Sequence, residues 1–204
     1  MKLHWSTRSP FARKVTVAAH ELGLADRITC QRTLVGMSAP NTDLMRENPL
    51  SRIPTLVLDD GAVLTDSLLI CEYLQLVAGG HLLFPAAPEA RIEVLRRHAL
   101  ASGLIEVLVL RRNERDRPPE RRSPAHLASY EAKTSATLDV FERAAPVFGA
   151  GAVDIGLVAL GCALGYLDFR FADTPWRPSR PALANWYETF AARPSMVATR
   201  HIDA

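Results

Sequence analysis

The chain has 204 residues, 48% of them hydrophobic, and its 24 basic against 22 acidic side chains leave a net charge of +2. That apolar content supports one domain or two small ones, and the even charge balance gives no global electrostatic case for binding nucleic acid or a membrane surface. Cys30, Cys71 and Cys162 stand far apart outside any CxxC pattern, and the six histidines lack metal-ligand spacing. No disulfide framework and no metal site is indicated, so buried free thiols in a reducing cytoplasm are expected. The N-terminus lacks a signal-peptide pattern, and no apolar run reaches the roughly 20 residues of a membrane span.

In chain order, residues 2–7 read as a strand. Ser9 followed by Pro10 marks a helix start, because serine caps the first turn and proline at the next position has no N–H to leave unpaired. Phe11, Val15, Ala18, Ala19 and Leu22 then recur at helical spacing until Gly23 stops the pattern. The Ser9 hydroxyl thus lies where free N–H groups and the positive end of a helix dipole meet, a place suited to an anion. Capping alone also accounts for the Ser-Pro pair. Residues 27–34 predict a second strand, and residues 36–51 a loop with one short helix near 42–46.

Two short apolar runs, 53–58 and 62–64, flank Asp59-Asp60-Gly61 and predict a β-hairpin. Thr65-Asp66-Ser67 supplies caps for a helix whose Ile70, Tyr73, Leu74 and Val77 share a face, ending at Gly79-Gly80. This order predicts a mixed-sheet domain over residues 1–78 and a linker over 79–85. Helical patterns at 89–115, 124–145, 153–171 and 181–192 then predict an all-helical domain over 86–204, making the fold class α/β plus all-α. Residues 111–122 hold six arginines interrupted by Glu114, Asp116 and Glu120, with Pro118 and Pro119 between helices. A solvated charged connection is the favoured reading; an anion-binding rim or an RNA-contacting patch are the others.

The motifs Ser9-Pro10-Phe11-Ala12-Arg13-Lys14-Val15, Asn48-Pro49-Leu50-Ser51-Arg52-Ile53-Pro54-Thr55-Leu56 and Leu64-Thr65-Asp66-Ser67-Leu68-Leu69-Ile70 carry a resemblance. Together with Val153-Asp154-Ile155-Gly156 and with Trp186 followed by Ala192-Arg193-Pro194-Ser195, they span nearly the whole chain. It resembles the glutathione S-transferase family, of the kind with serine at the catalytic position. The resemblance implies a thioredoxin-like N-terminal domain that holds glutathione, and an all-helical C-terminal domain that supplies most of the second-substrate pocket and dimer contacts. Pro54 matches the family's cis-proline, which presents the backbone of Ile53 to the cysteinyl part of glutathione. Asp66 and Ser67 match the pair that receives the γ-glutamyl end, and Arg52 stands where a cation meets the glycyl carboxylate. Plain capping by Asp66 and Ser67, and a solvated Arg52, are the structural alternatives.

Ser9 is then the expected catalytic residue, donating a hydrogen bond to the glutathione thiolate; Ser6 and Thr7 are the competing hydroxyls. Phe11, Leu104, Leu108 and Arg111 are the expected substrate-pocket residues, with a pure core stripe as the alternative for the helical set. Asp154 matches the acidic residue of the family's helix-capping motif, whose first position here is Gly151 acting as N-cap. The implied activity is addition of the thiolate to a hydrophobic electrophile, in a cytoplasmic homodimer without metal, nucleic-acid or membrane partners. A glutathione-dependent isomerase or peroxidase, or a non-catalytic glutathione-binding protein, are the alternatives.

Overall fold

The computed structural model describes residues 1–149 and 151–203. Four strands, β1 (Lys2–Trp5), β2 (Thr29–Arg32), β3 (Thr55–Val57) and β4 (Val63–Thr65), form one mixed sheet in the order β2-β1-β3-β4. β1 runs parallel to β2, with Leu3 opposite Cys30, and antiparallel to β3, with Leu3 opposite Leu56. The parallel pair needs a crossover, and α1 (Pro10–Glu21) supplies it. The predicted hairpin joins β3 to β4, and its Gly61 takes φ +87, a conformation that glycine adopts without steric cost. α2 (Ser67–Ala78) follows, and Gly79 and Gly80 end it, both at positive φ.

The rest is helical: α3 (Pro88–Arg115), α4 (Pro124–Ala144), α5 (Ile155–Arg170), α6 (Pro181–Ala191) and the short α7 (Pro194–Ala198). The sheet followed by helices is the α/β plus all-α arrangement expected from the sequence. α5 is the centre of the molecule, with every residue from Ile155 to Leu167 buried against α1, α3 and α6. Neighbours approach it closely at Gly161, where an added Cβ would lie 2.6 Å from the Phe190 ring.

Three expectations need correction. Cys71 and Cys162 are buried free thiols, but Cys30 is exposed, because β2 is an edge strand with no covered face. Residues 111–122 are not one solvated loop: Arg111 to Arg115 complete α3. The Arg111 and Arg115 guanidiniums lie 4.5 and 4.8 Å from the Phe171 ring centre, and buried Glu114 accepts from the N–H of Ser123 at 2.6 Å. Gly151 does not cap α5. Asp154 itself is the N-cap, accepting from the Leu157 N–H at 2.9 Å while Arg97 pairs with its other oxygen at 2.6 Å.

Candidate functional site

β1 delivers the chain to the start of α1, and Ser9 caps that helix as its sequence predicts. Its backbone is extended, and its Oγ accepts from the Ala12 N–H at 3.2 Å. That bond uses an oxygen lone pair and leaves the hydroxyl proton for a ligand. Of the two neighbouring hydroxyls Thr7 has its proton committed, whereas Ser6, like Ser9, is engaged through its oxygen but lies buried ahead of the helix. Thr7 Oγ1 donates to the Ile202 carbonyl at 2.8 Å, while buried Ser6 accepts from the Arg8 N–H at 3.2 Å.

The second stretch turns at a cis Ile53-Pro54 bond. Asn48, which is 1% exposed, organises this turn. Its side-chain amide donates to the Arg52 carbonyl at 3.1 Å and to Thr55 Oγ1 at 2.9 Å, and its Oδ1 accepts from the Leu50 N–H at 3.0 Å. Pro54 is buried, Ile53 is half-buried and the Arg52 side chain faces solvent.

Asp66 caps α2, accepting from the Leu68 N–H at 2.7 Å. Its backbone sits at φ +71, a region a non-glycine residue occupies at a cost of about 1–3 kcal/mol and one concentrated at functional sites. The first helical residue behind it, Ser67, is 3% exposed.

The expected pocket residues are not all alike. Phe11 is half-buried beside the helix start, with the Lys14 ammonium 5.7 Å from its ring centre. Leu104 and Leu108 are 2% and 0% exposed inside the helical core, which is the packing role their spacing also allowed. Arg111 stacks on Phe171 and pairs with Glu131 at 3.2 Å. A cavity of about 310 Å³ beside α6 is lined by Phe148, Trp186, Phe190 and Arg193, and none of the expected site residues borders it.

The description "Glutathione S-transferase, N-terminal domain" matches residues 8–76, and "Glutathione S-transferase, C-terminal domain" matches residues 124–189. The chain belongs to the glutathione S-transferase family. An uncharacterized GST-like protein of Escherichia coli K12, YibF, is 30% identical over 201 residues, covering 98% of each chain. A glutathione transferase family member from Pseudomonas fluorescens Pf-5, solved with bound glutathione, is 40% identical with a TM-score of 0.95 over 98% of each chain. The same family member is also solved with S-(propanoic acid)-glutathione, at 39% identity and TM-score 0.91 over 98% of this chain and 99% of that one. A glutathione S-transferase from Methylobacillus flagellatus KT with glutathione bound is 32% identical, with a TM-score of 0.86 over 98% of this chain and 99% of that one.

Periodicity does not reveal several residues packed around the start of α1. Arg13 and Lys14 are 7% and 0% exposed, because α1 is covered by α2, α5 and α7. Lys14 reaches His98 Nε2 at 2.9 Å, and Arg13 donates to the Met196 carbonyl at 3.0 Å. Residues 200–203 lie across the loop before Ser9, where His201 Nδ1 meets the Thr7 carbonyl at 2.8 Å. An Asn-Pro pair is a turn signal, so Asn48 was findable as a turn residue; the tail contacts carry no local signal.

Proposed function

We propose that the chain is a glutathione transferase that binds glutathione at Arg52, Ile53, Pro54, Asp66 and Ser67, ionises its thiol beside Ser9 and delivers the thiolate to a hydrophobic electrophile. The observation that carries this reading is the Ser9 hydroxyl, whose oxygen is engaged by the Ala12 N–H while its proton stays available. A free glutathione thiol titrates near 8.5, and bringing it down by about two units requires roughly 2.7 kcal/mol of preferential thiolate stabilisation. One hydrogen bond to an anion, about 1.5–3 kcal/mol, together with about 0.3–2 kcal/mol from the helix dipole, supplies that amount. Ser9 is a donor in this scheme, so no His-Asp relay is needed.

Asp66 would meet the γ-glutamyl ammonium while its neighbour Ser67 meets the carboxylate at the α2 N-terminus. The Ile53 backbone would pair with the cysteinyl unit, and Arg52 with the glycyl carboxylate. Phe11 would border the reacting sulfur and Arg111 the helical-domain side of the pocket, while Leu104 and Leu108, buried in the core, would pack behind it. Relatives solved with glutathione and with a glutathione thioether support both halves of the reaction. Residues 1–78 then hold glutathione, and residues 86–204 face the second substrate.

A homodimer completes the proposal, supported by the exposed Leu69 and Leu76 on one face of α2 and the exposed Ile92 of α3. Among the described residues no helix is long and apolar enough to cross a membrane, and a cytoplasmic location is proposed with the dimer. Calorimetric binding of glutathione together with turnover of 1-chloro-2,4-dinitrobenzene tests the activity. Binding without turnover of this or of isomerase and peroxidase substrates favours a binding protein. Light scattering tests the dimer, and Leu76→Glu is expected to yield a monomer.

A further inference from the structure

Guanidiniums gather where α3, α5 and the residues 200–203 tail meet the loop before Ser9. Arg170, the last residue of α5, places Nη1 at 3.1 and 3.2 Å from the two carboxylate oxygens of Asp203. Arg8, the residue directly before Ser9, places Nε 3.3 Å from the same carboxylate. Arg115 donates to the Arg170 carbonyl at 2.5 Å, and Arg112 and Arg115 share Asp116 at 2.8 and 3.3 Å. Buried Arg13 adds a further positive charge from α1, held by the Met196 carbonyl and by Thr199. Among the described residues five guanidiniums thus meet two carboxylates, an excess of positive charge with the internal pairs formed.

Three side-chain nitrogens in this region are buried with no hydrogen bond among the described residues, Arg112 Nε, Arg170 Nε and His201 Nε2, although Arg112 Nε keeps its ion pair with Asp116. Arg170 and His201 both stack on Phe169, the guanidinium 4.0 Å from its ring centre and the imidazole at 5.1 Å and 9°. Of these nitrogens, Arg170 Nε is a donor of the kind an anion satisfies, whereas His201 gives its Nδ1 proton to the Thr7 carbonyl, so its Nε2 is an acceptor and takes no part in holding a carboxylate. The Asp203 side chain is 59% exposed, so the carboxylate that occupies the clamp is replaceable.

We propose that Arg8 and Arg170 bind a carboxylate on the second substrate, making the preferred electrophile an organic acid, and that Asp203 holds the two guanidiniums until that carboxylate takes its place. A guanidinium pair recognises a carboxylate through several charge-assisted hydrogen bonds. The inference rests on the transferase reading for its chemistry. With 4-chloro-3-nitrobenzoate as probe, the thiolate sulfur bonds to the chlorine-bearing carbon, the nitro group accepts the displaced electron pair, and the C–Cl bond then breaks to release chloride. The benzoate carboxylate is unchanged throughout.

The test compares this acid with the neutral 4-chloro-3-nitrobenzamide, in turnover and in calorimetric binding of the two ready-made glutathione thioethers. The acid and its thioether are expected to be preferred by about tenfold or more, the size of a charge-assisted contact. Arg170→Met is expected to bring that preference towards one, and Asp203→Asn, which removes the internal competitor, to increase it. A thioether preference of one in the unmutated protein, or no binding of either thioether, overturns the clamp and leaves Arg170 and Asp203 as a staple for the tail. Preferred binding of the acid thioether without turnover of either chloride keeps the clamp and overturns the transferase reading.

Discussion

Lys14 Nζ lies 2.9 Å from His98 Nε2, joining α1 of the sheet domain to α3 of the helical domain through two buried side chains. With the ammonium donating, His98 Nε2 is the acceptor and its proton sits on Nδ1. Burial lowers the Lys14 pKa, while Cys71, Asp66 and Cys162 oppose that shift. Truncating His98 to Met leaves a buried ammonium without its acceptor and is expected to cost about 2–4 kcal/mol. Replacing both, as Lys14→Met with His98→Met, removes the charge as well and should recover most of the loss. Urea unfolding of the double-mutant cycle reads this coupling; additive losses would show that the pair is not one unit.

Acid should destabilise the protein well before its carboxylates titrate. Burial, with Lys14 adding to it, pushes His98 down to about 3, and burial with Arg13 pushes His201 down to about 4. Both folded values lie below the unfolded value of 6.5, so below that pH the unfolded chain takes up protons that the folded chain refuses. Their contribution is complete above about pH 6.5. It falls as pH drops, by up to about 1.4 kcal/mol per pH unit per histidine. Glu21, held low chiefly by Arg193, and Glu47, held low chiefly by Lys2, lose their contributions only as pH falls from about 4.5. Urea midpoints at about pH 7 and about pH 5 separate the two windows, and a flat response across that interval would contradict the histidine assignment.

Removing the Ser9 hydroxyl tests the chemistry more directly than removing the ligand. Ser9→Ala is expected to raise the pKa of bound glutathione by about 1–2 units, the equivalent of one charge-assisted hydrogen bond, and to slow turnover at neutral pH by about 10–100-fold. Ultraviolet absorbance of the thiolate follows the titration. An unchanged thiolate pKa would leave Ser9 with its capping role alone.

Asn48 should matter to glutathione without touching it. Its amide joins Arg52 and Thr55 across the turn, so Asn48→Ala removes both bonds and leaves Thr55 Oγ1 and the Arg52 carbonyl held only by each other. A stability loss of about 1–3 kcal/mol is expected, with a weaker glutathione affinity measured by calorimetry under folded conditions. Normal affinity in the folded variant would mean that the turn holds its shape without the latch.

The thiols give a simple structural check. Burial pushes Cys71 up to about 12 and Cys162 up to about 11, while Cys30 lies exposed on β2. A thiol reagent is expected to label one cysteine in the folded protein and three after denaturation. Rapid labelling of all three in the native protein would refute this packing.

Much of this architecture was legible because its signals are local. The Ser9 cap, the Asp59-Asp60-Gly61 turn and the Asp66 cap each depend on backbone groups within a few residues. The Lys14–His98 bond joins positions 84 apart, and the Thr7–Ile202 bond positions 195 apart, so no window of sequence contains either. Helix periodicity also misassigns Lys14, since a helix covered on several sides buries positions that an amphipathic pattern leaves polar. Leu104 and Leu108 show the converse: one stripe serves a pocket or a core, and their burial is decided by α5.

The burial of α5 on every side has a kinetic meaning. Its amides from Ile155 to Leu167 have no route to solvent short of separating α1, α3 and α6 from it. Backbone deuteration there should proceed at the rate of whole-molecule opening, while the edge strand β2 and the tail exchange through local fraying. The helix is thereby a clock for global unfolding, against which the opening of every other segment can be timed.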